Sequence, residues 1–264
     1  MTRWRVGGRL SPHCYEDRRG RSKVGGVGLG SASRDAELEL AVDVLRRTEI
    51  FQVLDDDALT RLAVASRLRT YGKGQFIFYQ GDSGDTLLVV CAGLVKVVFT
   101  AETGEGTVLV TLGACEVVGQ IAVLDGAERS ASVVAVEPTT GLLLTRATVL
   151  DVMVQHPAVL DAMLRSLGRL VRRLTEQAGD FAFLDLGGRL AKVLLRLAGD
   201  EPDAVDGAVL DTGLSQSDLA AMVGASRPAV NRALRSFVTR GLITVSGQVI
   251  VLRDVGALRK RASP

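Results

Sequence analysis

Residues 215–235 read SQSDLAAMVGASRPAVNRALR and predict two helices joined by a tight turn. The opening four residues have the Ser-x-x-Asp form, close to the capping box at the start of many helices. Gly224 stands where the first helix should end, because glycine adopts a left-handed backbone at little cost. Ser226 can cap the second helix, and Pro228 falls in its first turn, where a missing N–H does no harm. The pattern predicts a helix-turn-helix.

The second helix combines an apolar face with a basic face. Its apolar residues recur at spacings of three and four and are expected in the core; they are Val230, Ala233, Leu234, Phe237 and Val238. Arginine suits guanine edges and phosphates, and asparagine suits adenine, so the other face could contact a major groove. The candidate DNA-binding residues are Gln216, Ser226, Arg227, Pro228, Asn231, Arg232 and Arg235. An ordinary helical hairpin with a solvated arginine face is the alternative.

A β-hairpin is predicted directly after these helices. Residues 241–252, GLITVSGQVIVL, indicate two strands that turn at Ser246–Gly247. Helix, turn, helix and β wing make a winged helix, which favours DNA binding over the helical hairpin. The net charge of the chain is only +2, so any basic surface must be local. A dimer would present two such domains to double-stranded DNA at a pseudo-palindromic operator.

A long helix is predicted upstream, beginning near Pro157, which suits a first helical turn. Apolar residues then alternate at spacings of four and three, which is the seam of a coiled coil. The seam is a candidate homodimer interface and consists of Leu160, Leu164, Leu167, Val171, Leu174, Ala178 and Phe181. Burial of this stripe on the chain's own β domain is the alternative.

Short β-type runs separated by glycine turns occupy the region from Thr70 to Thr145. The runs are Gln75–Tyr79, Thr86–Cys91, Leu94–Thr100, Thr107–Leu112, Ser132–Val136 and Gly141–Leu144. Many short strands with regular turns predict an antiparallel roll of the jelly-roll type. Before them, one short helix is expected near residues 38–51, and another opens at Asp55 and runs through Leu68.

The fold class is therefore α+β, with a β-roll, a long dimerisation helix and a C-terminal winged helix. The predicted divisions are a disordered basic tail over 1–35, the roll domain over 36–155, the helix over 156–184, the winged helix over 185–255 and a C-terminal tail over 256–264. The first segment is rich in glycine, arginine and serine and cannot bury enough apolar surface to fold. The sequence contains no run of about 20 apolar residues, so no membrane span is predicted.

The reactive side chains favour a binding protein over an enzyme. Cys14, Cys91 and Cys115 lack metal-ligand spacing and predict reduced thiols in a cytoplasmic protein. His13 lies in the tail and His156 at a helix start, so neither suggests a catalytic triad. No catalytic residue, metal ligand or required cofactor is predicted.

In this order the motifs resemble those of the Crp/Fnr superfamily of bacterial transcription regulators, over about residues 43–254. The stretches that carry the resemblance are LRRTEIFQVLDDDAL, YGKGQFIFYQGDSGDTLLVVCAGLVKV, VGQIAVLDGAERSASVVAV, FAFLDLGGRLAKVLLRLA and LSQSDLAAMVGASRPAVNRALRSF. The resemblance implies a cyclic-nucleotide-binding β-roll, a long dimer helix, a C-terminal winged helix and RNA polymerase as a partner.

The resemblance also implies a ligand site in the roll. Family members that bind cyclic nucleotides have the pattern Gly-Glu-apolar-Ala followed by Arg-Ser or Arg-Thr. The matching residues are Gly119, Gln120, Ile121, Ala122, Arg129 and Ser130. Arg129 would hold a cyclic phosphate in bidentate geometry, with the Ser130 hydroxyl and the amides near Gly119 as further donors. Thr175 is the expected polar contact to the base, and cyclic AMP is the expected ligand.

Two positions depart from the family pattern. Gln120 replaces the glutamate that accepts the ribose 2′-hydroxyl, and a neutral amide accepts this bond more weakly. Another ligand, or none, is therefore an alternative, as is a ligand-independent transcription factor or a nucleotide sensor that docks on a protein. Pro228 replaces a glutamate of the recognition helix, which predicts an operator related to the family's usual palindrome but different from it.

Overall fold

The computed structural model describes residues 31–199, 204–211 and 213–263. Two helices come first, α1 (Ser31–Arg47) and α2 (Asp56–Ala65). Most of the predicted disordered tail, residues 1–30, lies outside the described residues. The prediction that this tail extends to residue 35 is wrong at its end, because α1 begins at Ser31.

Eight strands form the roll. They are β1 (Arg67–Tyr71), β2 (Phe76–Phe78), β3 (Thr86–Ala92), β4 (Val95–Thr100), β5 (Gly106–Leu112), β6 (Val117–Val118), β7 (Ser132–Ala135) and β8 (Thr139–Thr145). They build two four-stranded antiparallel sheets, ordered β1-β8-β3-β6 and β2-β7-β4-β5. All six predicted strands are present, and β1 and β6 are additions. Helix α2 ends at Ala65 rather than at the predicted Leu68, because β1 already pairs with β8 from Arg67 onward.

The alternation of side chains along β3 divides the core of the roll into two layers. Leu88 and Val90 point between the two sheets, whereas Leu87 and Val89 face a cluster built with α1, α2 and α4 (Arg146–Gln155). All four side chains are completely buried. This strand is apolar on both faces because both faces are covered.

Helix α5 (Pro157–Phe183) begins against the roll and then extends away from its core. Val159, Ala162 and Met163 in its first turns are buried. The large residues of the predicted seam are instead 37–61% exposed: Leu160, Leu164, Val171, Leu174 and Phe181. Ala178 is also exposed and Leu167 is half-buried. The chain's own β domain therefore leaves much of this stripe exposed, which does not favour the alternative in which that domain buries it.

The C-terminal domain contains α6 (Leu186–Ala198), β9 (Val209–Leu210), α7 (Gln216–Val223), α8 (Arg227–Thr239), β10 (Ile243–Ser246), β11 (Val249–Leu252) and α9 (Val255–Ala262). The wing has strand order β10-β11-β9. Ser246 pairs with Val249, so the hairpin turns at Gly247 and Gln248, one residue later than predicted. The predicted C-terminal tail from residue 256 is wrong through residue 262, because Leu258 of α9 is fully buried in the domain core.

The two domains touch each other directly. Helix α7 packs on β5, and Leu94 and Val136 of the roll join the core of the C-terminal domain. Lys96 on β4 forms an ion pair with Asp218 on α7.

No helix in the described part of the chain is long and apolar enough to cross a membrane.

Candidate ligand cavity and DNA-binding surface

A cavity of about 570 Å³ lies between the β-roll and α5. This volume is within the usual range for small-molecule sites. Helix α3 (Gln120–Asp125), the β4–β5 hairpin and the middle of α5 supply its walls. Six of the seven predicted ligand residues line it: Gly119, Gln120, Ile121, Ala122, Arg129 and Ser130. The sequence motif therefore converges on one site.

Arg129 is held in place at the base of this cavity. Its Nη2 donates hydrogen bonds to the Thr86 carbonyl oxygen at 2.7 Å and to Thr86 Oγ1 at 3.0 Å, and its Nη1 donates to the Gly119 carbonyl at 3.3 Å. The guanidinium carbon lies 3.8 Å from the ring centroid of Phe78. These contacts fix the orientation of a planar donor group before any anion arrives.

The electrostatic state of Arg129 is that of a buried cation. Burial lowers its pKa below the usual value for arginine, while Asp85 and Asp82 nearby act in the opposite direction. The residue is only 5% exposed, and its Nε is buried without a hydrogen-bond partner among the described residues. Burying a cation is costly, so an anion in the cavity would stabilise the charged form of Arg129.

The glycine of the motif is required by two separate features. Gly119 precedes α3 with φ 95° and ψ 8°, a left-handed conformation that favours glycine. A Cβ at this position would lie 2.5 Å from Arg129 Nη1, so any side chain would displace the guanidinium. Gln120 follows as the first residue of α3, and its side-chain amide makes no hydrogen bond to any described residue. Ser130 is exposed at the cavity.

The wall contributed by α5 differs from the prediction. Its lining residues are Ser166, Arg169, Leu170, Arg173 and Leu174. Thr175, the predicted base contact, does not line the cavity in this chain, and its hydroxyl donates to the Val171 carbonyl at 3.0 Å. One residue advances a helix by about 100°, which turns Thr175 away from the site that Leu174 reaches. Arg169 and Arg173 were not predicted as ligand residues. They follow Ser166 by three and seven positions, a spacing that places all three on one face of the helix.

Leu174 belongs to both the cavity wall and the exposed seam of α5. Arg169 lies on the cavity side of the same helix and forms an ion pair with Glu49, between α1 and α2. The seam and the ligand cavity therefore share a helix and a side chain. A ligand that shifts this part of α5 would also shift the seam.

The helix-turn-helix has the local structure that the sequence predicts. Ser215 Oγ accepts from the Asp218 backbone N–H at 3.1 Å, and the Ser215 N–H donates to Asp218 Oδ2 at 2.9 Å, which completes a capping box. Gly224 ends α7 in the left-handed conformation. A Cβ there would lie 2.5 Å from the ring of Phe181, so this glycine also permits α5 to approach the turn.

The candidate DNA-binding residues are not equally accessible. Ser226, Arg227, Pro228, Arg232 and Arg235 are exposed, whereas Gln216 and Asn231 are half-buried. None of the three arginines has an ion pair with any residue in the described ranges. Asn231 Oδ1 is buried without a partner, and the Ser226 side chain makes no cap bond. Val238, predicted in the core, is 43% exposed, while Val230, Leu234 and Phe237 are buried.

Asp218 has two roles at the junction of the domains. It completes the cap of α7 and pairs with Lys96 on the roll. Burial by itself would raise the pKa of Asp218, but hydrogen bonds from Lys96 and Ser215 outweigh that effect and hold the pKa below its usual value. The carboxylate is thus stabilised in its charged form by both domains.

Comparisons with known proteins agree with both halves of this architecture. Residues 68–156 match the cyclic nucleotide-binding domain, and residues 188–261 match the Crp-like helix-turn-helix domain. The chain is 30% identical over 221 residues to the CRP-like cAMP-activated global transcriptional regulator of Mycobacterium tuberculosis, covering 83% of this chain and 99% of that protein. The cyclic AMP receptor protein of Thermus thermophilus is 32% identical over 200 residues, covering 74% and 87%.

A solved structure shows the same arrangement. The c-di-GMP responsive global regulator CLP of Xanthomonas campestris superposes with a TM-score of 0.66 at 25% identity. The match covers 75% of this chain and 99% of that one. The similarity therefore includes the order of the two domains along the chain.

Proposed function

Because the chain belongs to the Crp/Fnr family of transcription regulators, we propose that it is a cytoplasmic homodimer that binds a pseudo-palindromic operator under the control of a cyclic nucleotide. The observation that carries the ligand is Arg129, a buried guanidinium residue that lines a cavity of about 570 Å³. The Mycobacterium and Thermus relatives are named for cyclic AMP, so cyclic AMP is the first ligand to test. RNA polymerase is the proposed partner at the promoter.

The residues of the cavity suit a cyclic phosphate. Arg129 would donate to the phosphate oxygens, and the Ser130 hydroxyl would add a neutral donor. Gln120 would accept the ribose 2′-hydroxyl through its amide oxygen. Ala122 and Gly119 would leave room for close approach of the ring. This donor set matches one small anion better than it matches an apolar ligand.

The exposed seam on α5 supports a dimer. Leu164 and Val171 are more than half exposed, and a stripe of such residues on one helix is stabilised by a second copy of itself. Two copies would present two α8 helices to successive major grooves. Arg227, Arg232 and Arg235 would then contact phosphates or bases, and Pro228 would alter the preferred operator.

Ligand control would act through α5. A nucleotide touching the cavity side of this helix would change the register of the two seams around Leu167–Leu174. That change would alter the spacing of the two α8 helices, so ligand and operator would each favour the same state of the dimer. Gln120 favours a second candidate, a transcription factor of the same family that binds its operator without a ligand.

Operator selection from a random DNA library, with and without cyclic AMP or cyclic GMP, tests the proposal. We expect a palindromic site and an affinity that rises with one nucleotide. Equal affinity with and without each nucleotide would contradict ligand control and support the second candidate. Retention on DNA that falls steeply with salt would argue against the alternative in which the chain docks on a protein, since phosphate contacts release counterions.

The dimer is tested separately by placing charges in the seam. Leu164→Glu combined with Val171→Glu should convert the dimer into a monomer, because like charges would face each other across the helices. Light scattering measures the mass. Val154→Glu is the matched control, since Val154 is 81% exposed on α4 and outside the seam. A double variant with unchanged mass would place the interface elsewhere.

A further inference from the structure

The α5 wall of the cavity carries an arginine that the proposed mechanism does not use. Arg173 lines the cavity from the same helix as Arg169 and Leu170. Arg169 forms an ion pair with Glu49. Arg173 forms neither a hydrogen bond nor an ion pair with any residue in the described part of the chain. Its donors are therefore available to a ligand.

The position of Arg173 assigns it to the part of the ligand that Arg129 does not hold. Arg129 is fixed at the base of the cavity by the roll, whereas Arg173 is half-buried on the helix wall. Apolar side chains of the β4–β5 hairpin complete the cavity, including Val97, Leu109 and Val110. A nucleotide with its phosphate on Arg129 could pack its base against these apolar residues and direct polar groups of the base to Arg173.

The chemistry of a guanidinium distinguishes the two purines. Arginine offers five N–H donors and no acceptor. Guanine presents two neighbouring acceptors, N7 and O6, whereas adenine presents the N7 acceptor beside the N6 amino donor. An adenine amino group against Arg173 would set donor against donor and leave both groups unpaired in a half-buried site. Guanine avoids this conflict and accepts two hydrogen bonds.

We infer that Arg173 contacts the base edge of the bound ligand and makes the cavity selective for cyclic GMP over cyclic AMP. This inference rests on the proposed function, in which the roll binds a cyclic nucleotide through Arg129. Glutamine supplies one donor and one acceptor and pairs with N6 and N7 of adenine. Arg173→Gln should therefore reverse the preference between the two nucleotides.

Isothermal titration of the full chain with cyclic GMP and with cyclic AMP tests this assignment. The wild type should bind cyclic GMP about tenfold or more tighter, because a bidentate contact discriminates bases to this extent. Arg173→Gln should reverse that preference and bind cyclic AMP more tightly than cyclic GMP. Arg172→Gln is the matched control: Arg172 is exposed, adjacent on the helix and outside the cavity. Circular dichroism and light scattering check the fold and mass of each variant.

The outcomes separate the inference from the proposed function. Binding of neither nucleotide to the wild type contradicts nucleotide control itself. A wild type that binds cyclic AMP at least as tightly as cyclic GMP keeps nucleotide control and overturns the role of Arg173. Equal changes in Arg173→Gln and Arg172→Gln, or an altered mass without altered selectivity, also overturn it, because the effect would then come from general charge or from the dimer contact.

Discussion

Arginine serves the two domains of this molecule in opposite environments. Arg129 in the roll is buried and donates hydrogen bonds to Thr86 and Gly119. Arg232 and Arg235 on α8 are exposed and have no ion pair among the described residues. The same side chain is preorganised in one domain and unconstrained in the other.

This difference indicates what each surface can bind. A guanidinium that the protein already orients loses little freedom on binding, which suits one small anion in a cavity. Exposed arginines gain affinity by releasing counterions from a polyanion, so their contribution depends on salt. The roll should therefore bind its ligand with weak dependence on salt, and α8 should bind DNA with strong dependence.

The largest expected effect comes from Arg129→Gln. Loss of charge-assisted hydrogen bonds, worth about 1.5–3 kcal/mol each, should lower cyclic-nucleotide affinity by roughly 100-fold or more in a titration. Arg146→Gln is the control, because Arg146 Nε is also buried without a partner among the described residues but lies outside the cavity. Equal losses of nucleotide affinity in the two variants would contradict a specific role of Arg129 in binding the ligand.

A smaller effect is expected from the exposed arginines of α8. Arg232→Ala should weaken operator binding by about 1–3 kcal/mol if the side chain contacts a base, with relaxed specificity at that position. If it contacts a phosphate, the slope of log affinity against log salt should become shallower by about 1. Fluorescence anisotropy over a salt series measures both quantities. Arg61→Ala, at an exposed position on α2, should change neither.

The smallest effect is expected at the contact that joins the two domains. Asp218→Ala should lower the midpoint of urea unfolding at pH 7 more than Lys96→Met, because only the first also removes the carboxylate that accepts from the Ser215 N–H and hydroxyl, a further loss of about 1 kcal/mol. The folded-state pKa of Asp218 is depressed. Its stabilising contribution is therefore present above the unfolded pKa, near 4, and lost as the pH falls through the folded value.

Unfolding at pH 7 and at successively lower pH checks this sign. The difference between the wild type and Asp218→Ala should shrink on acidification below about pH 4. A difference that stays constant from pH 7 to pH 3 would mean that the charge of Asp218 does not stabilise the fold.

Much of the architecture could be predicted because it follows local rules. The capping box at Ser215, the left-handed end at Gly224 and the strands between glycine turns depend on neighbours a few residues away. Strand β1 was missed because RLRTY has only two apolar residues and follows α2 without a glycine turn, so Leu68 was assigned to the helix. Strand β6 is only two residues long, too short to show a period.

The sequence by itself determined the two-domain order, the apolar seam of α5 and the motif around Arg129, since period, turn chemistry and motif spacing are written along the chain. Only the tertiary structure decided that α9 packs into the C-terminal core, that α7 rests on β5, and that Arg173 rather than Thr175 faces the cavity. These features depend on how surfaces distant in sequence fit together and on the rotation of one helix against the roll. The helix-turn-helix of residues 215–235 is a local structure, and the packing around it determines which of its residues remain accessible.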